Sequence, residues 1–329
     1  MTHTPTTQAL VVTEHGGLDM LRLTERAVGE PGAGQLLVRV EAAGVNFVDT
    51  YQREGVYPIP TPYVMGNEGA GTVEAIGPGV TGTAVGDRVA WSQTLGSAAG
   101  LALIPEADTV PVPDGVTTEL AAAVLLQGMT AHYLVTSTYP VAAGDTVLVH
   151  AAAGGVGQLL VQLAKARGAR VIGTVSTEAK AAKARALGAD EIVDYAGAPD
   201  VAAAVRELTG GAGVAAAYDG VGKDTFDGSL ASLRPRGTLA LFGAASGQVP
   251  PFDLQRLNSG GSLFVTRPTL KHYMLTRDEL LWRGGEVLDA VASGALRVEI
   301  GGRYPLAEAR RAYEDLTGRR TTGKLLLLP

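Results

Sequence analysis

Hydrophobic and polar residues alternate in two different ways along this chain. Up to about Glu119 the runs are short, as in QLLVRVEAAGV and AGTVEAIG, and Gly and Pro interrupt them. That is the pattern of half-buried strands in a compact β-rich domain. Near Glu119 the period lengthens, and TTELAAAVLLQGMTAHYLVT reads as a helix with Thr117 or Thr118 as its N-cap.

From about Asp145 strand and helix take turns. TVLVH, RVIGTV, EIVDY, GVAAAYD, TLALFG and SLFVT read as strands. VGQLLVQLAKARG is a helix closed by Gly168, EAKAAKARALG one closed by Gly188, and PDVAAAVRELTGG one that opens with Pro199 near its first turn. Alternating elements with short links imply a parallel sheet covered on both faces. Beyond about Arg267 the tail holds two more helices and a last strand, KLLLL.

Composition narrows the function classes. The 329 residues suffice for two domains, and 46% hydrophobic against 18% charged favours a folded chain over disorder. A net charge of −6 gives no reason to expect nucleic acid or an anionic membrane as partner. The N-terminus lacks the basic start and apolar run of a signal peptide, and no apolar run reaches the roughly 20 residues of a membrane span, so a cytoplasmic protein is expected. There is no cysteine, hence no disulfide, no thiolate catalysis and no zinc site built on sulfur.

The strongest local signal is TVLVHAAAGGVGQLLVQLAKARG. A buried strand ends at His150, a small-residue turn follows, and a helix begins near Val156. Its spacing, Ala152-x-Gly154-x-x-Gly157, puts alanine for the first glycine of the dinucleotide fingerprint. Small residues let the backbone approach a pyrophosphate, and the helix start offers free N–H groups with partial positive charge. An NAD site places an acid at the end of the next strand. Here that strand runs into VSTEAK, with Ser176 and, one helical turn on, Lys180. A hydroxyl and a cation suit a 2′-phosphate, so NADPH is expected. The plainer alternative is a solvated lysine, and Glu178 lies close by.

With those residues in view, the chain resembles the zinc-free quinone oxidoreductases, the ζ-crystallin-like branch of the medium-chain dehydrogenase/reductase superfamily. The resemblance rests on AAGVNFVDTYQREGVYP, GNEGAGTVEAIGPGVTGTAVGDRVA, LLQGMTAHYL, VLVHAAAGGVGQLLVQLAKARGARVIGTV, RPRGTLALFGAASG and SLFVTRPTL, and covers nearly the whole length. It implies an α/β architecture: a GroES-like β-rich catalytic domain (1–128 and 266–329) and a Rossmann doubly wound parallel-sheet NADPH-binding domain (129–265), with the active site in the cleft between. It implies that Asn46 and Tyr51 contact the nicotinamide half of NADPH, and that Lys180 and Tyr195 meet the 2′-phosphate. Thr130, Gly155, Val156, Ser176, Phe242 and Arg319 are marked as cofactor neighbours, with Arg320 competing for the last place. It also implies a homodimer formed through the sheet edge at SLFVTRPTL. Zinc-dependent relatives carry a ligating histidine where this chain has Asn67, so no zinc is expected.

The implied reaction is hydride transfer from NADPH to a quinone or conjugated enone. Without a metal, charge growing on the acceptor oxygen needs neutral donors, and Asn46, Tyr51 and Tyr57 are the candidates. The alternative for Asn46 is to hold the turn after its strand, and for Tyr57 to be a surface ring beside prolines. Arg267 serves cofactor phosphate or substrate oxygen, or else a structural ion pair. His132, His150 and His272 show no metal spacing and read as core or surface residues. Asp87–Arg88 reads as a turn with a salt bridge, and Asp219 as shaping a loop at the end of its strand. Two alternatives stand beside quinone reduction: an enone or enoyl-thioester reductase, and a non-enzymatic NADPH-binding crystallin or RNA-binding protein.

Overall fold

The short alternating runs become β1 (Thr6–Val12), β2 (Leu21–Ala27) and β3 (Gln35–Gly44), followed by β4 (Tyr63–Val64), β5 (Glu68–Ile76), β6 (Arg88–Ser92), β7 (Leu101–Pro105) and β8 (Thr109–Pro111). A helix not anticipated in this stretch, α1 (Phe47–Arg53), follows β3 directly. The long apolar run is α2 (Thr118–Tyr133), with the Thr117 hydroxyl accepting from Leu120 N at 3.2 Å, and it continues as a π turn through Leu134–Thr138. The stretch Thr118–Thr138 has the length and apolar character of a membrane span, but it is a core helix, with Ala121 through Leu125 buried. The structure, a computed structural model, describes residues 5–195, 200–318 and 321–329.

The alternating region gives β9 (Thr146–Val149), α3 (Gly155–Ala166), β10 (Arg170–Val175), α4 (Glu178–Ala186), β11 (Glu191–Asp194), α5 (Val201–Leu208), β12 (Val214–Asp219), α6 (Phe226–Ala231), β13 (Leu233–Leu241), α7 (Gln255–Ser259) and β14 (Phe264–Thr266). The tail adds α8 (Arg277–Ala292), β15 (Ile300–Pro305), α9 (Ala309–Thr317) and β16 (Lys324–Leu328). Helix α5 starts at Val201, where the Asp200 carboxylate accepts from Ala203 N at 2.9 Å; Pro199 lies outside the described residues.

The chain divides into two units. The first takes residues up to Met129 and from Met274 onward. It contains a seven-stranded sheet of order β15-β16-β3-β5-β6-β8, with β7 also on β3, and a three-stranded sheet β2-β1-β4. Its cores gather around Val12, Met65 and Tyr313 and around Leu36, Val89 and Trp91. Asp87 and Arg88 do not pair with each other: Asp87 accepts from Ala84 N, while Arg88 reaches Asp114 and the Val116 carbonyl.

The second unit, Thr130–Tyr273, is a six-stranded sheet of order β11-β10-β9-β12-β13-β14, parallel at every pair. Strand β12 (VAAAYD) is buried at all positions, as a central parallel strand must be. The order reverses between β9 and β12, and in such sheets ligands bind beyond the strand ends at that point. The unit extends past β14 through Leu270–Tyr273 because the Tyr273 ring stacks on Tyr133, centroids 4.2 Å apart.

Candidate functional site

In the second unit the turn after β9 has the form a pyrophosphate needs. Ala151 sits at φ +49, and its carbonyl accepts from Gly154 N at 2.7 Å. Gly154 is the N-cap of α3, so Gly155, Val156 and Gly157 form its first turn. A Cβ at Gly157 would collide with the Ala151 carbonyl oxygen, which is why the third fingerprint position tolerates only glycine here. Alanine at position 152 is accommodated in full burial, so the first-glycine departure does not disturb the turn.

At the end of β10 the sequence expectation for the next strand takes physical form. Thr177 caps α4, which turns Lys180 back so that its Nζ lies 3.3 Å from Ser176 Oγ. Strand β11 runs beside β10 with Val175 opposite Asp194, and Tyr195 N donates to Val175 O at 3.1 Å. Ser176, Lys180 and the exposed Tyr195 therefore share one sheet end, with Asp194 at the end of β11 beside them. Phe242 follows β13 and closes over Gly220, in the turn after β12. Thr130 is buried in the same unit. Arg267 is exposed and donates to the Leu241 carbonyl at 3.1 Å. Arg319 and Arg320 lie outside the described residues.

In the first unit Asn46 belongs to a buried polar network that the sequence did not reveal. Lys324 Nζ, at the start of β16, donates to Glu68 Oε2 (2.6 Å) and to Asn46 Oδ1 (2.7 Å). Asn46 Nδ2 donates to Glu68 Oε2 (2.9 Å) and the Gly44 carbonyl (3.2 Å), and Glu68 Oε1 accepts from Leu126 N of α2 (2.7 Å). A Cβ at Gly44 would strike Glu68 Oε2, so this glycine makes room for the ion pair. Asn46, Glu68 and Lys324 are all at most 3% exposed. Both amide hydrogens of Asn46 are thus committed inside the protein, which leaves it as a hydrogen-bond acceptor rather than a donor.

Asn67 lies in an adjoining network. Its Nδ2 donates to Asp49 Oδ1 (2.7 Å) and Gln52 Oε1 (2.6 Å), and Gln52 Nε2 returns a bond to Asn67 Oδ1 (3.2 Å). Asp49 Oδ2 accepts from Asn46 N (2.9 Å) and the Tyr313 hydroxyl (3.0 Å). Full burial pushes the Asp49 carboxyl up, against the pull of Asn67, Asn46 N, Tyr313 and the Lys324 charge. Burial and the Asp49 charge in turn push Tyr63 up to about 12. The Tyr51 ring of α1 and the Tyr57 ring meet edge-to-face at 5.6 Å, with Tyr57 44% exposed. The residue that sequence reasoning missed is Lys324, the one charge opening the apolar strand β16.

The comparisons agree with this architecture. Residues 32–137 match the alcohol dehydrogenase GroES-like domain, and residues 155–281 match the zinc-binding dehydrogenase family. A quinone oxidoreductase of Pseudomonas aeruginosa is 47% identical, over 96% of this chain and 97% of its own length. A 2-haloacrylate reductase of a Burkholderia species is 44% identical, over 98% of each. A mycobacterial protein solved in complex with NADPH superimposes with a TM-score of 0.94 at 55% identity, covering 98% of this chain and all of that one.

The second family's name raises zinc, and the residues in place do not fit it. Where a ligand would stand there is an amide, Asn67, tied to Asp49 and Gln52. Its neighbour Glu68 is neutralised by Lys324, and the chain has no cysteine. Among the described residues no three His, Cys, Asp or Glu side chains gather as a metal site would require.

Proposed function

This chain belongs to the quinone oxidoreductases of the alcohol dehydrogenase superfamily, and from that premise we propose that it transfers hydride from NADPH to a quinone without zinc. The observation that carries the reading is Lys180 Nζ beside Ser176 Oγ at the end of β10, where an acid would mark an NAD enzyme. NADPH, when bound, supplies the hydride from C4 of its nicotinamide. The first turn of α3 offers its N–H groups to the pyrophosphate, while Ser176, Lys180 and Tyr195 hold the 2′-phosphate. Thr130 and Phe242 complete the cofactor neighbours among the described residues. Asn46, its amide orientation fixed by Lys324 and Glu68, accepts from the nicotinamide half, and Tyr51 and Tyr57 are the donors to the acceptor oxygen as charge grows there.

A second reading, reduction of a conjugated carbon–carbon double bond, is favoured by the identity to the 2-haloacrylate reductase. The same hydride chemistry serves both. Following NADPH and NADH oxidation against quinones, enals, 2-haloacrylate and enoyl-thioesters separates them. Quinone turnover with NADPH preferred is the expected result; turnover restricted to alkenes gives the second reading, and NADPH binding without any turnover defeats both. The reading extends to a cytoplasmic homodimer acting on a small molecule. Strand β14 supports the dimer, pairing among the described residues with β13 alone and exposing Phe264 (61%) and Val265 (37%). Light scattering of the purified chain tests it, and a monomer would end it.

A further inference from the structure

One line of buried hydrogen bonds in the second unit has no part in the chemistry above. His150 is 2% exposed and immediately follows β9. Its Nδ1 lies 3.1 Å from Thr174 Oγ1, and its Nε2 lies 2.9 Å from Ser229 Oγ. Ser229 Oγ donates to Asp219 Oδ2 at 2.7 Å, and Thr174 Oγ1 accepts from Ala151 N at 3.3 Å. Asp219 also accepts from Val221 N, Gly222 N and the Thr225 hydroxyl.

These distances admit one order of hydrogens. Asp219 receives from four donors and so stands as a carboxylate, which makes Ser229 its donor. The serine oxygen must then accept from His150, placing the imidazole proton on Nε2. Nδ1 is left as an acceptor and takes the Thr174 proton, while Thr174 Oγ1 takes the Ala151 N–H. Every group is satisfied by a neutral imidazole, and burial does push His150 down from its ordinary value. A second proton on the ring would leave the Thr174 hydroxyl hydrogen without its acceptor.

The two ends of this line are the two turns at the switch point. One end is Ala151, a non-glycine residue in the left-handed region whose carbonyl closes the turn before α3. The other is the loop Gly220–Gly222, over which Phe242 closes. The geometry points to His150 as a positioning residue for the dinucleotide: as the Nε2–H tautomer it holds Thr174, and through Thr174 the Ala151 turn, in the shape that receives the pyrophosphate, and ties that turn to the loop after β12. It touches neither cofactor nor substrate. This inference rests on the nucleotide site proposed above.

The test is NADPH binding, followed by nucleotide fluorescence without any acceptor present. Wild type, His150→Phe, Thr174→Val and the double variant are titrated, together with Val205→Ala, a buried α5 position away from the line. Loss of one oriented hydrogen bond predicts a Kd raised about tenfold by His150→Phe and about as much by Thr174→Val. The double variant should lose no more than either single one, because both act through the same bond. Val205→Ala should lower the melting temperature and leave the Kd unchanged. Should His150→Phe not fold, Ser229→Ala with Thr174→Val makes the same cycle from the next link. A His150→Phe Kd within about twofold of wild type, or multiplied losses in the double variant, overturns the inference. Wild type failing to bind NADPH would instead overturn the function on which it rests.

Discussion

Each unit buries a polar network beside its proposed share of the site, and the two are satisfied by opposite means. In the first, Lys324 meets Glu68 as full charges at 2.6 Å, with Asn46 held between them. In the second, Asp219 is met among the described residues by neutral donors, two backbone amides and the hydroxyls of Thr225 and Ser229. Charge balanced by charge is sensitive to loss of either partner, since the survivor stays buried. Charge met by several neutral donors distributes the loss, since one missing donor leaves three.

That contrast is broken most directly at Lys324. Lys324→Met leaves Glu68 buried without its cation, and urea unfolding should show a loss of about 3–5 kcal/mol. Adding Glu68→Gln should return part of it, because no charge is then stranded. A single variant within about 1 kcal/mol of wild type would mean the pair is solvated in solution. Asn67→His comes next. It removes the amide that bonds Asp49 and Gln52, so it should cost about 1–3 kcal/mol. Elemental analysis after incubation with zinc should find none retained; stoichiometric zinc would show that the slot lacked only its histidine.

How much of this was legible in advance follows from how far apart the residues lie in the chain. The dinucleotide turn could be read because Ala151 through Gly157 are consecutive, and Ser176 and Lys180 because one helical turn joins them. The parallel sheet followed from the same local alternation. The Asn46–Glu68–Lys324 network joins residues from opposite ends of the sequence, and nothing in KLLLL distinguishes a buried lysine from an edge charge. Helix α1 escaped because FVDTYQR is short and has no clear apolar period; its Asp49 is held by Asn67 and Tyr313, both distant in sequence. Strand β15 escaped because its glycines, Gly301 and Gly302, hide the alternation. The sequence leaves His150 as a core or surface residue, and the structure buries it; what the sequence withholds is Ser229 on one side and Thr174 on the other.

The proposed nucleotide site supplies a smaller effect. Lys180→Ala removes a half-buried cation from the end of β10 and should weaken NADPH about tenfold while leaving NADH unchanged. Equal weakening of both would assign Lys180 to the fold of α4 rather than to the 2′-phosphate.

The smallest effect is the dependence of stability on pH, and it separates buried His150 of the second unit from buried Asp49 of the first by sign. Burial lowers the His150 pKa below 6.5, so between its folded value and 6.5 the unfolded chain binds more protons. Its contribution is present above pH 6.5 and is lost as the pH falls toward the folded value, with a slope of at most about 1.4 kcal/mol per pH unit. The charged group on its line is Asp219, reached through Ser229. Asp49 behaves in the opposite sense. Burial raises its pKa above 3.8, so its contribution is present below pH 3.8 and is lost as the pH rises through the folded value. The groups that face it are Asn67, Tyr313, Lys324 and Tyr63. Urea midpoints taken across pH 4 to 8 should therefore fall more shallowly toward acid for His150→Phe than for wild type. For Asp49→Asn they should fall more steeply, because the acid-favouring term has gone. Parallel curves for all three proteins would mean that neither buried group changes its protonation on folding.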